Sequence, residues 1–330
     1  MQKKLATVGI TMGDPKGVGP EIVVKALTEL PHELLQRVRV YGDRAVFEQA
    51  AKQAGLVFAP ELFTATSHQQ ANLEIISDDT AARMTLNALD AALEDIKHKR
   101  ITSLVTAPLN KERITSLLMD FTGHTEYLRK KSKAESSVMS FVGEQERKTF
   151  RLGLVTTHQP LAEVAGSITK EKVLSTLKVC ASALSDLFGI KESRLAVLGL
   201  NPHAGEGGHL GLEEKMQIEP AMNSAANDSN ISCFGPFPAD AFFAKGKQLD
   251  YDMVVAMYHD QGLIPMKLLY PLRAVNVTLG LPFVRTSPGH GTAEDIAWKN
   301  KANAEGMHAA IEMADRLALN MPQRDKNSLQ

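Results

Sequence analysis

Short apolar runs and longer segments with helical spacing alternate along most of this chain, and that alternation limits the fold more than any other feature of the sequence. Residues 5–11 read as a strand, 20–30 as a helix, 38–41 as a strand and 44–54 as a helix. Between 80 and 97 the residues Leu86, Leu89, Leu93 and Ile96 recur at helical spacing, and 103–106 resumes a buried strand. Residues 169–188 repeat the helical signature through Val173, Leu177, Ala181, Leu184 and Phe188. A strand at 195–198 follows, then a long Gly-rich loop, a helix from about Glu213 and a strand running into His259. Short strands at 275–277 and 282–286 precede one or two helices after Thr292. The pattern predicts parallel α/β layers. No repeat, low-complexity tract or Pro/Ser linker marks a boundary, which fits a chain that crosses between two lobes more than once.

At 330 residues and 44% apolar, the chain is long enough for two packed domains. A formal charge of -1 gives no net pull toward nucleic acid or an anionic membrane, yet leaves room for a local basic pocket that takes a small phosphate. Cys180, in a helical pattern, and Cys233, beside a short apolar run, lack a Cys-x-x-Cys partner, which suits a reducing compartment. No signal-peptide core opens the sequence, and no stretch reaches the roughly 20 apolar residues of a membrane helix. The expectation is a soluble cytoplasmic enzyme.

Three separated apolar runs each stop at a histidine: Val155-Thr156-Thr157-His158, Leu198-Gly199-Leu200-Asn201-Pro202-His203 and Val254-Val255-Ala256-Met257-Tyr258-His259. Each has the form of a strand delivering chemistry to a loop. Of ten histidines, His32, His68, His98 and His308 lie in polar or helical surroundings, whereas the other six fall in Gly-, Thr- or Pro-rich loops after strand-like runs. Any one of the three would ordinarily be a satisfied loop histidine. Together they suggest a single divalent metal site, with His209 as a fourth donor or an outer partner.

Thr11-Met12-Gly13-Asp14-Pro15-Lys16-Gly17-Val18-Gly19-Pro20 is a Gly-rich turn between the first strand and first helix, neither a dinucleotide fingerprint nor a Walker A loop. It serves either as a close approach to a cofactor or only as a tight turn. Gly123-His124-Thr125-Glu126 sets an imidazole and a hydroxyl at a helix start, where an anion is favoured; the bland alternative is Thr122 or Thr125 as a cap. Lys267, Asn276 and Arg285 form a polar cluster in apolar surroundings that would clamp phosphate and carboxylate. Ser287-Pro288-Gly289-His290-Gly291-Thr292-Ala293-Glu294-Asp295 supplies a loop and then a helix start, with Thr292 as cap and Asp295 as an acceptor for ribose hydroxyls.

This ordered series resembles the 4-hydroxythreonine-4-phosphate dehydrogenase family of pyridoxal phosphate biosynthesis, including its branch acting on 4-phospho-D-threonate or 4-phospho-D-erythronate. The motifs span nearly the whole chain. Besides those above they include Thr106-Ala107-Pro108-Leu109-Asn110-Lys111, Asn201 through His209, Pro238-Ala239-Asp240, Tyr258-His259-Asp260-Gln261-Gly262 and Gly280-Leu281-Pro282-Phe283-Val284-Arg285. The resemblance implies two α/β/α lobes around a central cleft, as in isocitrate and isopropylmalate dehydrogenases, and a homodimer with a shared active site. Residues 1–130 with 275–330 are expected to form the NAD-binding lobe, and 131–274 the metal and dimer lobe.

The same resemblance implies a metal on His158, His203 and His259, substrate contacts from His124, Thr125, Lys267, Asn276 and Arg285, and NAD contacts from His290, Gly291, Thr292, Asp295 and Asn303. The ion would be zinc, magnesium, manganese, cobalt or nickel. The implied reaction oxidises a 4-phosphorylated 3-hydroxy acid with NAD and then decarboxylates the 3-keto acid; the sugar-acid branch yields dihydroxyacetone phosphate. Asp240 is the first candidate for the base and Asp260 the second, with Lys267 also in the catalytic set. Lys16, Ala107 and Pro288-Gly289 depart from the usual family pattern. A phosphate-ester metallohydrolase and a non-catalytic sugar-phosphate binding protein are the rival readings.

Overall fold

The computed structural model describes residues 7–65, 76–146, 148–227 and 231–322. In chain order it contains β1 (Val8–Thr11), α1 (Gly19–Glu29), α2 (His32–Leu35), β2 (Val38–Gly42), α3 (Arg44–Ala54), β3 (Phe63–Ala65), α4 (Asp78–Lys97), β4 (Ser103–Thr106), α5 (Lys111–Leu117) and α6 (His124–Lys131). There follow β5 (Val138–Gln145), β6 (Lys148–Leu154), α7 (Leu161–Ser167), α8 (Lys170–Asp186), β7 (Ser193–Leu198), α9 (Glu219–Ala226), β8 (Ile231–Phe237) and α10 (Ala239–Ala244). The last elements are β9 (Met253–Ala256), α11 (His259–Leu269), β10 (Val275–Leu279), β11 (Val284–Pro288) and α12 (Glu305–Asn320). The predicted opening of the first strand at Leu5 and the surroundings of His68 lie outside the described residues.

The chain divides into two units, one made of Met1–Lys133 with Leu281–Gln330 and the other of Ala134–Gly280. In the first, strands run in the order β3-β2-β1-β4-β11 and all pair in parallel, Val8 lying opposite both Val38 and Ser103, and Val284 opposite Ser103. β1, β4 and β11 are buried at every residue, as expected of inner strands of a parallel sheet covered on both faces, and β11 buries Arg285, Thr286 and Ser287 with them. Helix ends follow local chemistry: the Asp43 carboxylate accepts from the N–H groups of Ala45 and Val46 at the start of α3, and left-handed Gly55 stops it. Ser77 caps α4, with Asp78 and Asp79 in its first turn and Lys97 in its last.

The second unit has strand order β10-β5-β6-β9-β7-β8. Here β10–β5 and β5–β6 are antiparallel and the remaining pairs parallel, so the all-parallel expectation holds only for part of it. On one face Phe150, Leu152 and Leu154 of β6 pack with Ala196 and Leu198 of β7 and Val254 and Ala256 of β9, beneath Phe242, Leu263 and Met266 from α10 and α11. Helix α8, whose buried stripe includes Val173, Leu177, Cys180 and Leu184, packs against β5, β6, β7 and β10. Both cysteines are free thiols. Among the described residues no helix is long and apolar enough to cross a membrane.

Two sequence expectations need correction. His259 is not in a loop: β9 ends at Ala256, and after two residues His259 opens α11. Gly262 and Pro265 disguised that helix, and no side chain caps it; Gln261 in its first turn ties it to the preceding strand ends, its Oε1 accepting from Met257 N at 2.7 Å and its Nε2 donating to Gly199 O at 2.6 Å. Thr292 caps no helix either. Ala293, Trp298 and Asn300 all have positive φ, which keeps the segment in turns until α12 begins at Glu305.

Candidate functional site

In the second unit, His158 follows β6 and His259 opens α11, and their ring centroids lie 5.5 Å apart at an interplanar angle of 45°. The strand pairing explains this meeting, because β6 and β9 are adjacent and Val155 and Thr156 extend the ladder by bonding to Ala256 O and Met257 O. Asp260 Oδ1 sits 2.6 Å from His259 Nδ1, the kind of carboxylate contact that orients a ligating imidazole. Paired imidazoles suit a divalent cation of the zinc, cobalt or nickel type. Among the described residues, no three His, Cys, Asp or Glu side chains converge at ligand distance, so only two of the three predicted donors stand together.

His203 is exposed and lies in a run of five left-handed residues, from φ 53° at His203 through Ala204, Gly205 and Glu206 to φ 66° at Gly207. Such a run is costly outside glycine. A buried carboxylate organises it: Glu214 Oε1 accepts from the N–H groups of Leu200 and Asn201, both at 2.8 Å, and Glu214 Oε2 accepts from Asn201 Nδ2 at 2.9 Å. A Cβ at Gly205 would meet that same Oε2 at 2.6 Å, so only glycine fits there. His209 ends the turn, exposed. Asp240, in the first turn of α10, is also exposed, as are Asp260 and Lys267, the latter in the last turn of α11; Asn276 is half-buried on β10 opposite Phe141.

The first unit holds three of the predicted substrate contacts, His124, Thr125 and Arg285. Arg285, in β11, is 3% exposed, and its Nε and Nη2 donate to Thr106 Oγ1 of β4 at 3.2 and 2.6 Å. Burial pulls its pKa down to about 10, against the attraction of Glu126. His124 opens α6 behind Gly123, with Thr125 buried beside it; no side chain caps this helix, so neither Thr122 nor Thr125 plays that part. His124 Nε2 is shielded from solvent without a hydrogen-bond partner among the described residues, and burial, then Arg285 and Lys111, hold its pKa well below 6.5. A neutral imidazole beside a buried guanidinium and an open helix start forms a receptor for an anion.

The predicted cofactor residues surround the turns after β11. His290, Gly291 and Asp295 are exposed, and His290 Nδ1 lies 3.0 Å from Gly291 O. Asn303 accepts from Glu305 N at 2.7 Å and so starts α12. Sequence reasoning gave Gln261 no structural role and overlooked Glu214 and Arg113. The last donates to Asp14, Asp78 and Glu294, residues scattered over the first unit with no local trace of their common partner.

The description pyridoxal phosphate biosynthetic protein PdxA matches residues 34–314. A 4-hydroxythreonine-4-phosphate dehydrogenase from Ralstonia nicotianae is 40% identical over 333 residues, covering 95% of this chain and 98% of its own. The crystal structure of a 4-hydroxythreonine-4-phosphate dehydrogenase from Klebsiella pneumoniae is similar with a TM-score of 0.82 and 32% identity, over 97% of this chain and 100% of that one. A beta-decarboxylating dehydrogenase from Thermococcus kodakarensis, at 14% identity and a TM-score of 0.50, shares the fold over 94% of this chain and 82% of its own. The family match spans residues 34–314 and these relatives cover nearly the whole chain, so the chain belongs to the PdxA family of pyridoxal phosphate biosynthesis, as a dehydrogenase.

Proposed function

We propose that this dehydrogenase oxidises a 4-phosphorylated 3-hydroxy acid with NAD and a divalent cation, and then decarboxylates the 3-keto product. The substrate is 4-phosphooxy-L-threonine or, in the sugar-acid branch, 4-phospho-D-threonate or 4-phospho-D-erythronate. The observation that carries this reading is Arg285, buried beside a neutral His124 whose Nε2 has no partner. A guanidinium held in a fixed, buried geometry donates strong charge-assisted bonds to phosphate or carboxylate oxygens, which such a substrate carries. Arg285 and Lys267 would hold phosphate and carboxylate, with Asn276, Thr125 and His124 adding neutral hydrogen bonds.

His158, His203 and His259 would hold the cation, and His290, Gly291, Thr292, Asp295 and Asn303 the dinucleotide. When bound, the cation polarises the reacting oxygen and NAD accepts the hydride. Asp240 is assigned as the base for the hydroxyl proton, since Asp260 already engages His259. The new carbonyl then lies one carbon from the carboxylate, and carbon dioxide departs. Active sites completed by a second copy of the chain belong to the same proposal.

The test is nicotinamide reduction followed by absorbance, with divalent metal, NAD and a panel of the three phosphorylated acids. Growth of reduced cofactor with stoichiometric carbon dioxide is expected from one of them. Release of inorganic phosphate without nicotinamide reduction would replace this reading with a metallohydrolase.

A further inference from the structure

One guanidinium ties the turns after β11 to the Gly-rich turn after β1. Arg113, in α5, is 12% exposed and donates to three carboxylates. Its Nη1 reaches Asp14 Oδ2 at 2.7 Å, its Nε reaches Asp78 Oδ1 at 2.8 Å, and Nη1 and Nη2 grip Glu294 at 2.9 and 2.5 Å. The grip on Glu294 is bidentate, the strongest geometry an arginine offers a carboxylate. Asn110 Nδ2 adds a bond to Glu294 Oε1 at 2.8 Å, and Thr292 Oγ1 another at 3.4 Å.

The Gly-rich turn is held from its own side as well. Asp14 Oδ1 accepts from Lys16 N at 2.8 Å, while Lys16 Nζ turns away to Asp78 Oδ1 at 2.7 Å. The two segments also touch directly, Val18 N donating to Thr292 O at 2.9 Å and Trp298 Nε1 to Pro15 O at 3.0 Å. Gly17 is required by that approach, because a Cβ there would lie 3.0 Å from both Cβ and O of Thr292.

We infer that Arg113 is a positioning residue for dinucleotide binding: by clasping Glu294 and Asp14 together it fixes the loop carrying His290, Thr292 and Asp295 against the Gly13–Val18 backbone. The inference rests on the assignment of that loop to NAD. Arg113 itself makes no claim on the cofactor; it sets the shape the cofactor meets. An unclasped loop must be ordered during binding, and part of the cofactor's affinity is then lost.

The chain contains a single tryptophan, Trp298, inside this loop, so intrinsic tryptophan fluorescence reports on the clasp alone. The experiment compares the whole wild-type protein with Arg113→Met, Arg113→Lys and Glu294→Gln, and with Arg37→Met, which breaks a pair with Asp315 elsewhere in the same unit. Acrylamide quenching of Trp298, the Kd for NAD by titration, KM for the phosphorylated substrate and melting temperature are read for each. Expected for Arg113→Met is stronger quenching and a Kd for NAD raised about tenfold or more, with substrate KM nearly unchanged. Arg113→Lys and Glu294→Gln should give smaller shifts in the same direction. Arg37→Met should lower melting and leave both NAD and Trp298 readouts alone. An Arg113→Met protein that binds NAD as tightly as wild type overturns the inference, as does an equal loss in Arg37→Met. A wild-type protein that fails to bind NAD overturns the nicotinamide reading beneath it.

Discussion

Two side chains of the first unit show how charge and burial decide chemistry. Arg285 gives its fork to Thr106 from within β11, and a point charge on a flexible stem cannot reproduce that geometry. Arg285→Lys is therefore expected to raise KM for the phosphorylated substrate by about tenfold or more, measured in steady-state assays with NAD saturating. His124 carries a pH signature. Its folded pKa lies well below 6.5, so as pH falls through 6.5 the unfolded chain takes up a proton that the folded one refuses, and stability drops. His124→Gln removes that penalty. Melting curves should show the variant gaining on wild type as pH falls from about 7 to about 5, a window that spans the ordinary histidine pKa near 6.5. A constant gap across that window would contradict the burial of this imidazole.

At the scale of elements, the turn carrying His203 concentrates backbone strain, with His203, Ala204 and Glu206 all left-handed. Gly205→Ala adds a Cβ against the Glu214 carboxylate and is expected to cost about 1–3 kcal/mol in chemical denaturation, besides impairing whatever His203 holds. Regular elements were readable from sequence: residues 44–54 and 103–106 form the helix and strand their patterns predict, since local capping and burial decide them. The β5–β6 hairpin was not. Its connection passes through the charged Gln145-Glu146 stretch rather than an Asn-Gly or Asp-Gly turn, and its antiparallel pairing depends on a sheet that no local window contains. Helix α11 was hidden by Gly262 and Pro265. The site divides in the same way. Histidines 158 and 259 announce themselves through the apolar runs before them, whereas the Arg113 clasp joins residues 14, 78, 113 and 294 and leaves no short-range pattern.

For the molecule as a whole, the proposed cation belongs to catalysis rather than to folding, because the strands beneath His158 and His259 are joined by their own ladder and buried core. Prolonged chelation is expected to abolish nicotinamide reduction while far-ultraviolet circular dichroism stays unchanged, and added divalent metal should restore turnover. The order in which the chain visits its two units has a further result. The second unit is one unbroken stretch, but the first keeps β4 waiting for β11, with Ser103 partnered by Val284. During synthesis on the ribosome, that inner strand edge emerges early and stays open until nearly all the remaining chain has been made. The later-encoded unit is thus free to close first, and the earlier one needs protection from stray strand pairing until its last strand arrives.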